Sequence, residues 1–330
     1  MRDRKTKIYI LLILLLTLIV TACNPKTQLT ENTSSTGDEY GIKVTDDYVE
    51  FVDGRGESIS IKKNPKRVVV LFSSFIDIWT RNGGELVGMV EDDAKDISEI
   101  EGVEIVGKFG SVSLEKVLAL EPDLVILSSN SKAQKELIQP LIENNIPIIP
   151  LKYEYKEGYF KIAKIFAYIN DRIDIYESET LKVKNDIEDI LSMVPKDKEN
   201  KILIMFSSSK AITARTSQST LGEMLKDLNT VNIADNANNL LDDKNFSLEK
   251  IIEEDPDFIF VQTMGSDMEA VLERMKSDVE SNPAWGTLSA VKNNRYIILP
   301  KDLYMYKANH RYAEAYRGLA EILYPEVFKK

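Results

Sequence analysis

The sequence contains very few of the side chains that form disulfides or bind transition metals. Among its 330 residues there is one cysteine, Cys23, and one histidine, His310. A single cysteine excludes an intramolecular disulfide, and zinc or manganese sites need several imidazole or thiolate ligands. A carrier of bare zinc or manganese is therefore disfavoured, and we expect no metal site and no resident cofactor.

Positive charge is also scarce. The chain has 42 lysines and arginines against 53 acidic residues, which gives a formal charge of −11. Because binding to nucleic acid needs a basic field, nucleic acid is excluded as a partner. After residue 20 there is no further apolar run of about 18 residues, the minimum for a membrane-spanning helix.

The N-terminal residues have the pattern of an export signal. A basic stretch is followed by the apolar run 8–20 and by Val20-Thr21-Ala22-Cys23. This ending resembles a bacterial lipobox, in which the cysteine is acylated after cleavage; a short membrane anchor is the alternative. We predict a signal peptide at 1–22 and a lipidated, flexible tether at 23–43. The mature chain is then held on the outer face of the cell membrane, extracellular or periplasmic, by its lipid alone.

The remaining chain, of about 290 residues, is long enough for two lobes with cores of their own. Residues 44–61 alternate around Asp53-Gly54-Arg55-Gly56, which predicts a β-hairpin. Continuous apolar runs typical of parallel strands alternate with helical patterns. The predicted strands are 68–72, 124–127, 146–151, 202–206, 258–261 and 296–299. We predict an α/β fold with an N-terminal lobe at 44–157 and a C-terminal lobe at 196–330.

Between the lobes, apolar residues recur at steps of three and four from about 158 to 194, and Pro195 follows. This spacing predicts one long helix over 158–195 that spans the two lobes. Two helices with a break near Asp174 fit the pattern equally well.

An internal repeat links the two lobes. The residues 112–126 match the residues 246–260, with Ser-Leu-Glu-Lys and Pro-Asp at the same offset in both copies. In each copy the pattern predicts a serine-capped helix, followed by a turn into a buried strand.

These motifs identify a family. The repeats, Asn64-Pro65-Lys66-Arg67, Asn282-Pro283-Ala284-Trp285 and Leu323-Tyr324-Pro325 resemble those of the solute-binding proteins of ABC importers for siderophores, haem and cobalamin. The resemblance implies two Rossmann-like lobes bridged by one long helix, with the ligand held in the cleft between them. It also implies a monomeric, non-enzymatic protein that works with a permease and its ATPase. By motif position, Glu115 and Glu249 would dock on the permease; exposed first-turn glutamates are the alternative.

Ligands of α/β lobes gather where parallel strands end and helices begin. Tyrosines on the predicted loops of both lobes suit a large or flat ligand, and arginines suit an anionic one. Serines at these junctions are commonly helix caps and the arginines could be ordinary surface residues, whereas Trp79 is expected in the core. The predicted ligand contacts are Ser73, Ser74, Lys108, Tyr153, Tyr155, Arg215, Tyr304, Tyr306, His310 and Arg311.

The expected cargo is an iron complex, with a ferric siderophore first. Haem is the main alternative because His310 could be its axial ligand, and cobalamin comes next. An unrelated alternative is a cell-surface hydrolase that uses Ser73 or Ser74 with Asp77 and His310. However, no Gly-x-Ser-x-Gly elbow surrounds either serine.

Overall fold

The computed structural model describes residues 38–91, 102–236, 248–265 and 267–329. The predicted signal peptide, Cys23 and most of the tether lie outside these ranges. No helix within them is both long enough and apolar enough to cross a bilayer.

A small antiparallel sheet opens the described chain, formed by β1 (Lys43–Val44), β2 (Tyr48–Val52) and β3 (Ser58–Lys62). Strands β2 and β3 are the predicted hairpin, with Val52 opposite Ser58. Its turn packs closely on the N-terminal lobe: the Gly54 N–H donates to the Pro150 carbonyl at 2.7 Å. A Cβ at Gly54 would meet Ser129 Oγ at 2.4 Å, so this approach requires glycine.

The N-terminal lobe is built on a six-stranded sheet in the order β7-β6-β5-β4-β8-β9, parallel except for β7. Its first helices are α1 (Ser73–Arg81), α2 (Leu114–Ala119) and α3 (Lys132–Glu143). Strand β4 is buried on both faces, as its run of valines predicted. The strands are β4 (Val68–Val70), β5 (Gly88–Glu91), β6 (Glu104–Lys108), β7 (Ser111–Val112), β8 (Leu124–Ser128) and β9 (Ile148–Leu151).

The segment between the lobes is not one unbroken helix, so the prediction of a single helix over 158–195 is corrected. Helix α4 (Lys156–Ile169) is followed by the cap residue Asn170 and then by Asp171, whose left-handed φ of 52° turns the chain away from the helix. The Arg172 N–H bonds back to the Ala167 carbonyl at 2.7 Å and the Asp171 N–H to the Tyr168 carbonyl at 3.3 Å, which is a Schellman ending. The second helical stretch comprises α5 (Ile173–Ile175), a π-helical turn (Tyr176–Thr180) and α6 (Leu181–Ser192).

The C-terminal lobe has a five-stranded sheet with the order β11-β10-β13-β14. The fifth strand, β12, also pairs with β10. All pairings in this sheet are parallel except that of β11 with β10. The strands are β10 (Asn200–Ser208), β11 (Ile212–Arg215), β12 (Thr230–Asn232), β13 (Phe258–Met264) and β14 (Tyr296–Ile298). The helices are α7 (Thr220–Asp227), α8 (Leu248–Glu254), α9 (Met268–Met275), α10 (Ser289–Lys292), α11 (Lys301–Tyr304), α12 (Tyr312–Leu323) and α13 (Pro325–Phe328).

One apolar core runs through both lobes and the helices between them, and a second lies on the other face of the C-terminal sheet. Trp79 belongs to the first core, as expected: it is fully buried and packs edge-on against Phe166, with ring centroids 5.0 Å apart. The predicted α/β class with two mainly parallel sheets is confirmed.

The repeat is visible in the backbone. Glu121 and Asp255, which occupy the same position in the two copies, both have a left-handed φ, 44° and 41°. Two residues later, the Asp123 carboxylate accepts the Lys66 and Arg67 N–H groups, and the Asp257 carboxylate accepts the Lys201 N–H. Each aspartate therefore fixes the chain just before or at the start of a central strand, β4 or β10.

Candidate ligand-binding site

The carboxyl ends of the parallel strands define one edge of each sheet, here called the strand-end edge. Loops from the two strand-end edges contact each other along a seam. Tyr155 Oη donates to the Gln218 carbonyl at 2.8 Å, and Thr220 Oγ1 donates to the Glu154 carbonyl at 2.9 Å. The two edges therefore face one another, as a ligand held between lobes requires.

Asn309 is the most connected side chain of the seam. It is 4% exposed and lies in a short 3-10 turn with φ of 49°. Its amide nitrogen donates to the Ser74 carbonyl at 3.0 Å and to Asp77 Oδ2 at 2.7 Å, while its oxygen accepts from Tyr153 Oη at 2.7 Å. Asparagine suits this place because it tolerates left-handed backbone and its amide offers donors and an acceptor.

Lys307 crosses the same seam. Its Nζ donates to the Glu154 carbonyl and, at 2.8 Å, to Thr220 Oγ1, and it lies 4.9 Å from the centroid of the Tyr153 ring. Burial lowers the pKa of Lys307 to about 8, although Glu154 and Glu223 act in the opposite direction. The half-buried ammonium is thus held by neutral oxygens and an aromatic ring.

Beneath the N-terminal edge, one buried amide ties three loops together. The side chain of Gln134 is fully buried, and its nitrogen donates to the Leu71 carbonyl at 2.6 Å and to the Phe109 carbonyl at 3.1 Å. Its oxygen accepts the Ser128 N–H at 2.7 Å. The loops after β4, β6 and β8 are therefore fixed relative to one another.

Several predicted contacts lie at this edge. Ser73 and Ser74 begin α1, and the Ser74 carbonyl belongs to the seam. Tyr153 is 5% exposed because its ring is covered by Lys307 and packs on Phe75. Burial raises the pKa of Tyr153, so it remains a neutral donor. Tyr306 and Lys108 are exposed, and Lys108 pairs with Glu91 at 3.4 Å.

Other predicted contacts are engaged elsewhere. Tyr304 is corrected: it is buried in the C-terminal lobe, where its hydroxyl donates to the Ala315 carbonyl at 3.1 Å. Burial raises the pKa of Tyr304 to about 12. Arg311 is held by Asp302 and Glu314, each at 2.7 Å. Arg215 stacks on the Phe206 ring, 4.4 Å from its centroid.

His310 and Asp77 do come together, with Nδ1 3.4 Å from Oδ2. Burial raises the pKa of Asp77, but hydrogen bonds from His310, Arg81 and Asn309 outweigh it, and the pKa is lowered overall. Neither the Ser73 nor the Ser74 hydroxyl bonds to His310 in the described chain, so the serine, histidine and aspartate do not form a triad. In the same ranges, no three His, Cys, Asp or Glu side chains group as a metal site.

The proposed docking residues occupy equivalent places. Glu115 and Glu249 are both exposed in the first turn of the repeat helices α2 and α8. Since α2 follows the carboxyl end of β6 through the short strand β7, Glu115 lies near the strand-end edge.

Two surface pockets of the described chain are lined by none of Asn309, Lys307 and Tyr153. One, of about 270 Å³, is at the amino ends of β13 and β14, near Phe258 and Arg295. Another, of about 340 Å³, lies beside α9 near Arg274. The two lobes are joined at the seam by the hydrogen bonds of Asn309 and Lys307.

Asn309, Lys307 and Gln134 were not predicted from the sequence. Their signal is weak: Lys307 and Asn309 both lie shortly before the predicted His310, and Gln134 occurs at a helical position that also suits a polar surface residue.

Two α/β lobes that meet along their strand-end edges define a two-lobed ligand-binding protein. Known proteins agree with this class. The family model "Periplasmic binding protein" matches residues 68–303, and the chain belongs to that family. It is thus a substrate-binding protein of the ABC transporter type and not an enzyme.

Similar proteins come from several bacteria. The uncharacterized ABC transporter substrate-binding lipoprotein YvrC of Bacillus subtilis is 27% identical over 86% of this chain and 87% of its own. The Fe(3+)-citrate-binding protein YfmC of the same organism is 28% identical over 88% of each chain. The structure of Staphylococcus aureus SirA complexed with staphyloferrin B superposes with a TM-score of 0.65 at 22% identity, over 83% of this chain and 98% of SirA.

Proposed function

We propose that this chain is the lipid-anchored receptor of an ABC importer that captures an iron complex, first of all a ferric siderophore, between its lobes. The observation that carries the proposal is the seam, where loops of both strand-end edges meet through Asn309 and Lys307. A ligand bound there would contact both lobes at once. The name of YfmC, an Fe(3+)-citrate-binding protein, supports a ferric cargo.

Calorimetric titration of the full chain with ferric siderophores, haemin and cyanocobalamin tests this proposal. Saturable binding of one ligand at micromolar or lower concentration supports it. A folded protein that binds none of them contradicts it.

Haem is the second candidate, because Nδ1 of His310 faces Asp77 and thereby orients the ring. Haem ligation would use the other ring nitrogen. A Soret band that appears with haemin and disappears in His310→Ala would favour haem over a siderophore.

We further propose that Glu115 and Glu249 dock on the permease, with the cleft facing the importer. Charged residues at the rim of an interface mainly affect association. Glu115→Ala with Glu249→Ala should therefore reduce uptake and leave ligand affinity unchanged. Glu136→Ala, an exposed change on α3, is the control; equal uptake by the two forms would contradict docking.

Acylation of Cys23 would keep the receptor close to its permease and raise the local concentration. Metabolic labelling with palmitate should mark the chain, and Cys23→Ser should abolish the label. Labelling that persists in Cys23→Ser would contradict the predicted lipid site.

A further inference from the structure

Two arginines near the seam are each surrounded by two carboxylates. Arg311 pairs with Asp302 and Glu314, both at 2.7 Å. At the hairpin turn that packs on the strand-end edge, Arg55 pairs with Asp53 at 2.8 Å and with Glu57 at 2.7 Å. Each cluster carries more negative than positive charge. An anionic ligand would have to compete with these carboxylates for the charge of each guanidinium.

The lysines of these loops are similarly occupied. Lys108 pairs with Glu91 at 3.4 Å, and Lys152 with Glu154 at 2.9 Å. Lys301 donates to the Gly265 carbonyl at 3.1 Å and lies over the Tyr306 ring, 5.4 Å from its centroid. Lys307 is half-buried in the seam and donates to neutral oxygens.

Other cations at these edges have no carboxylate within ion-pair distance in the described chain, namely Lys132, Lys210 and Arg215. Arg215 stacks on Phe206 instead. These three cations belong to a chain whose formal net charge is −11. A polyanion approaching these edges would therefore meet a field that repels it at long range, and in the described chain these three are the cations at the edges that are neither paired with a carboxylate nor placed in the seam.

Apolar surface, in contrast, is left open at both edges. Phe109 is 39% exposed, Met264 is 47% exposed and Tyr306 is 44% exposed. Phe109 also packs on Phe72, with ring centroids 4.9 Å apart, which extends the apolar surface toward α1. A ligand that covered these side chains would remove their remaining apolar surface from water, which favours binding.

We infer that the cleft takes a chelate or macrocycle of little or no net negative charge, which presents apolar or aromatic surface to both lobes. This inference rests on the proposed function and narrows its substrate class. Among ferric complexes it selects neutral ones, such as tris-hydroxamates, against trianionic tris-catecholates, and it also admits an uncharged corrinoid.

Titration of the full chain with ferrichrome, cyanocobalamin and ferric enterobactin tests the inference. We expect one of the two neutral probes to bind at least about 10-fold more tightly than the trianionic one. Raising the salt concentration should change the affinity of the neutral probe by less than about 3-fold, because screening acts on charge pairs.

The possible results separate the two proposals. If ferric enterobactin binds as tightly as the neutral probes or more tightly, the inference is overturned and the proposed function stands. If a folded protein binds none of these probes and no haemin, the proposed function fails and the inference fails with it.

Variants test whether the pairing of Arg311 and the exposed apolar side chains cause this preference. Asp302→Asn with Glu314→Gln releases Arg311 and should raise the affinity for ferric enterobactin about 10-fold, at little cost to the neutral probe. Glu321→Gln on the same helix, α12, is the matched control. Tyr306→Ser and Phe109→Ser should each weaken binding of the neutral probe about 10-fold. No gain from the released arginine, or no loss from the apolar changes, would contradict the assigned chemistry.

Discussion

The two lobes share one repeated unit but secure their strand-end edges differently. At the start of the central strands, Asp123 and Asp257 make the same kind of carboxylate contact with the backbone. At the other end, the N-terminal lobe ties its loops with Gln134. Counted from the helix cap, the place of Gln134 is taken in the C-terminal lobe by Ala270, which has no side-chain polar group.

The C-terminal lobe instead extends the segment 305–311 across the seam. Its Lys307 and Asn309 hydrogen-bond to the N-terminal lobe. One lobe thus presents a fixed edge, and the other supplies the groups that close on it. The repeat maintains the scaffold, whereas the unrepeated side chains decide how the cleft is held.

The largest loss of stability is expected when Gln134 of the N-terminal lobe is replaced by alanine, the residue that the C-terminal lobe has at the same helix position. Gln134→Ala removes the partners of the Leu71 and Phe109 carbonyls and of the Ser128 N–H. Buried groups left without partners cost about 1–3 kcal/mol each, so unfolding free energy should fall by about 4 kcal/mol. Urea denaturation measures the change.

Gln139→Ala is the matched control, since Gln139 is an exposed residue on the same helix, α3. Its effect should remain below about 0.5 kcal/mol. If the two variants lose the same stability, Gln134 does not fix the edge.

The second prediction concerns the side that closes. Asn309→Ala removes the bonds to Ser74, Asp77 and Tyr153 and places alanine in left-handed backbone. We expect a loss of about 3 kcal/mol in the free energy of unfolding.

Asn294→Ala separates these two causes. Asn294 has a similar φ of 55° but is exposed. It should lose only the backbone part, about 1 kcal/mol. Equal losses in Asn309→Ala and Asn294→Ala would show that the seam contributes nothing.

Much of the scaffold could be predicted from the sequence because its signals are local. The apolar runs gave the central strands, and the Ser-Leu-Glu-Lys and Pro-Asp pattern located equivalent units in both lobes. The break was predicted only as an alternative, near Asp174, and the pattern did not decide between one helix and two, because the Schellman ending at Asp171 is stabilised partly by Lys63 and Asn64, more than 100 residues away in sequence. An unbroken periodic pattern contains no trace of such contacts.

The candidate site was predicted less completely. Strand-end geometry selected loops that meet at the seam, but it did not distinguish buried or ion-paired side chains on them from free ones. Tyr304 and Tyr306 differ by two residues, yet one is buried under α12 and the other is 44% exposed. Arg311 was predicted as a ligand contact, but its guanidinium forms ion pairs with Asp302 and Glu314. Such differences depend on packing between distant segments.

The third prediction tests whether the repeat contributes to both lobes. Asp123 accepts two backbone N–H groups and Asp257 accepts one. Asp123→Ala should therefore lower unfolding free energy by about 1.5 kcal/mol and Asp257→Ala by about 1 kcal/mol, and the two losses should add. Asp189→Ala, an exposed change on α6, should cost less than about 0.5 kcal/mol. A larger loss of stability from Asp257→Ala than from Asp123→Ala would contradict the view that these backbone hydrogen bonds determine the contribution of each aspartate.

The last prediction is a pH dependence at the closing side of the seam. The folded pKa of Lys307, about 8, lies below the ordinary 10.5. Between these values the folded chain holds fewer protons than the unfolded chain, so deprotonation favours folding and stability from this group rises with pH.

Measured by urea denaturation between about pH 7.5 and 9.5, the stability of the wild type relative to Lys307→Met should increase. The range stops below pH 10 because buried tyrosines with raised pKa, such as Tyr153, then favour the unfolded state. Lys210→Met, an exposed change, should follow the wild type throughout. A difference between wild type and Lys307→Met that stays constant or shrinks would mean that Lys307 is solvated, and the seam would then be open in solution.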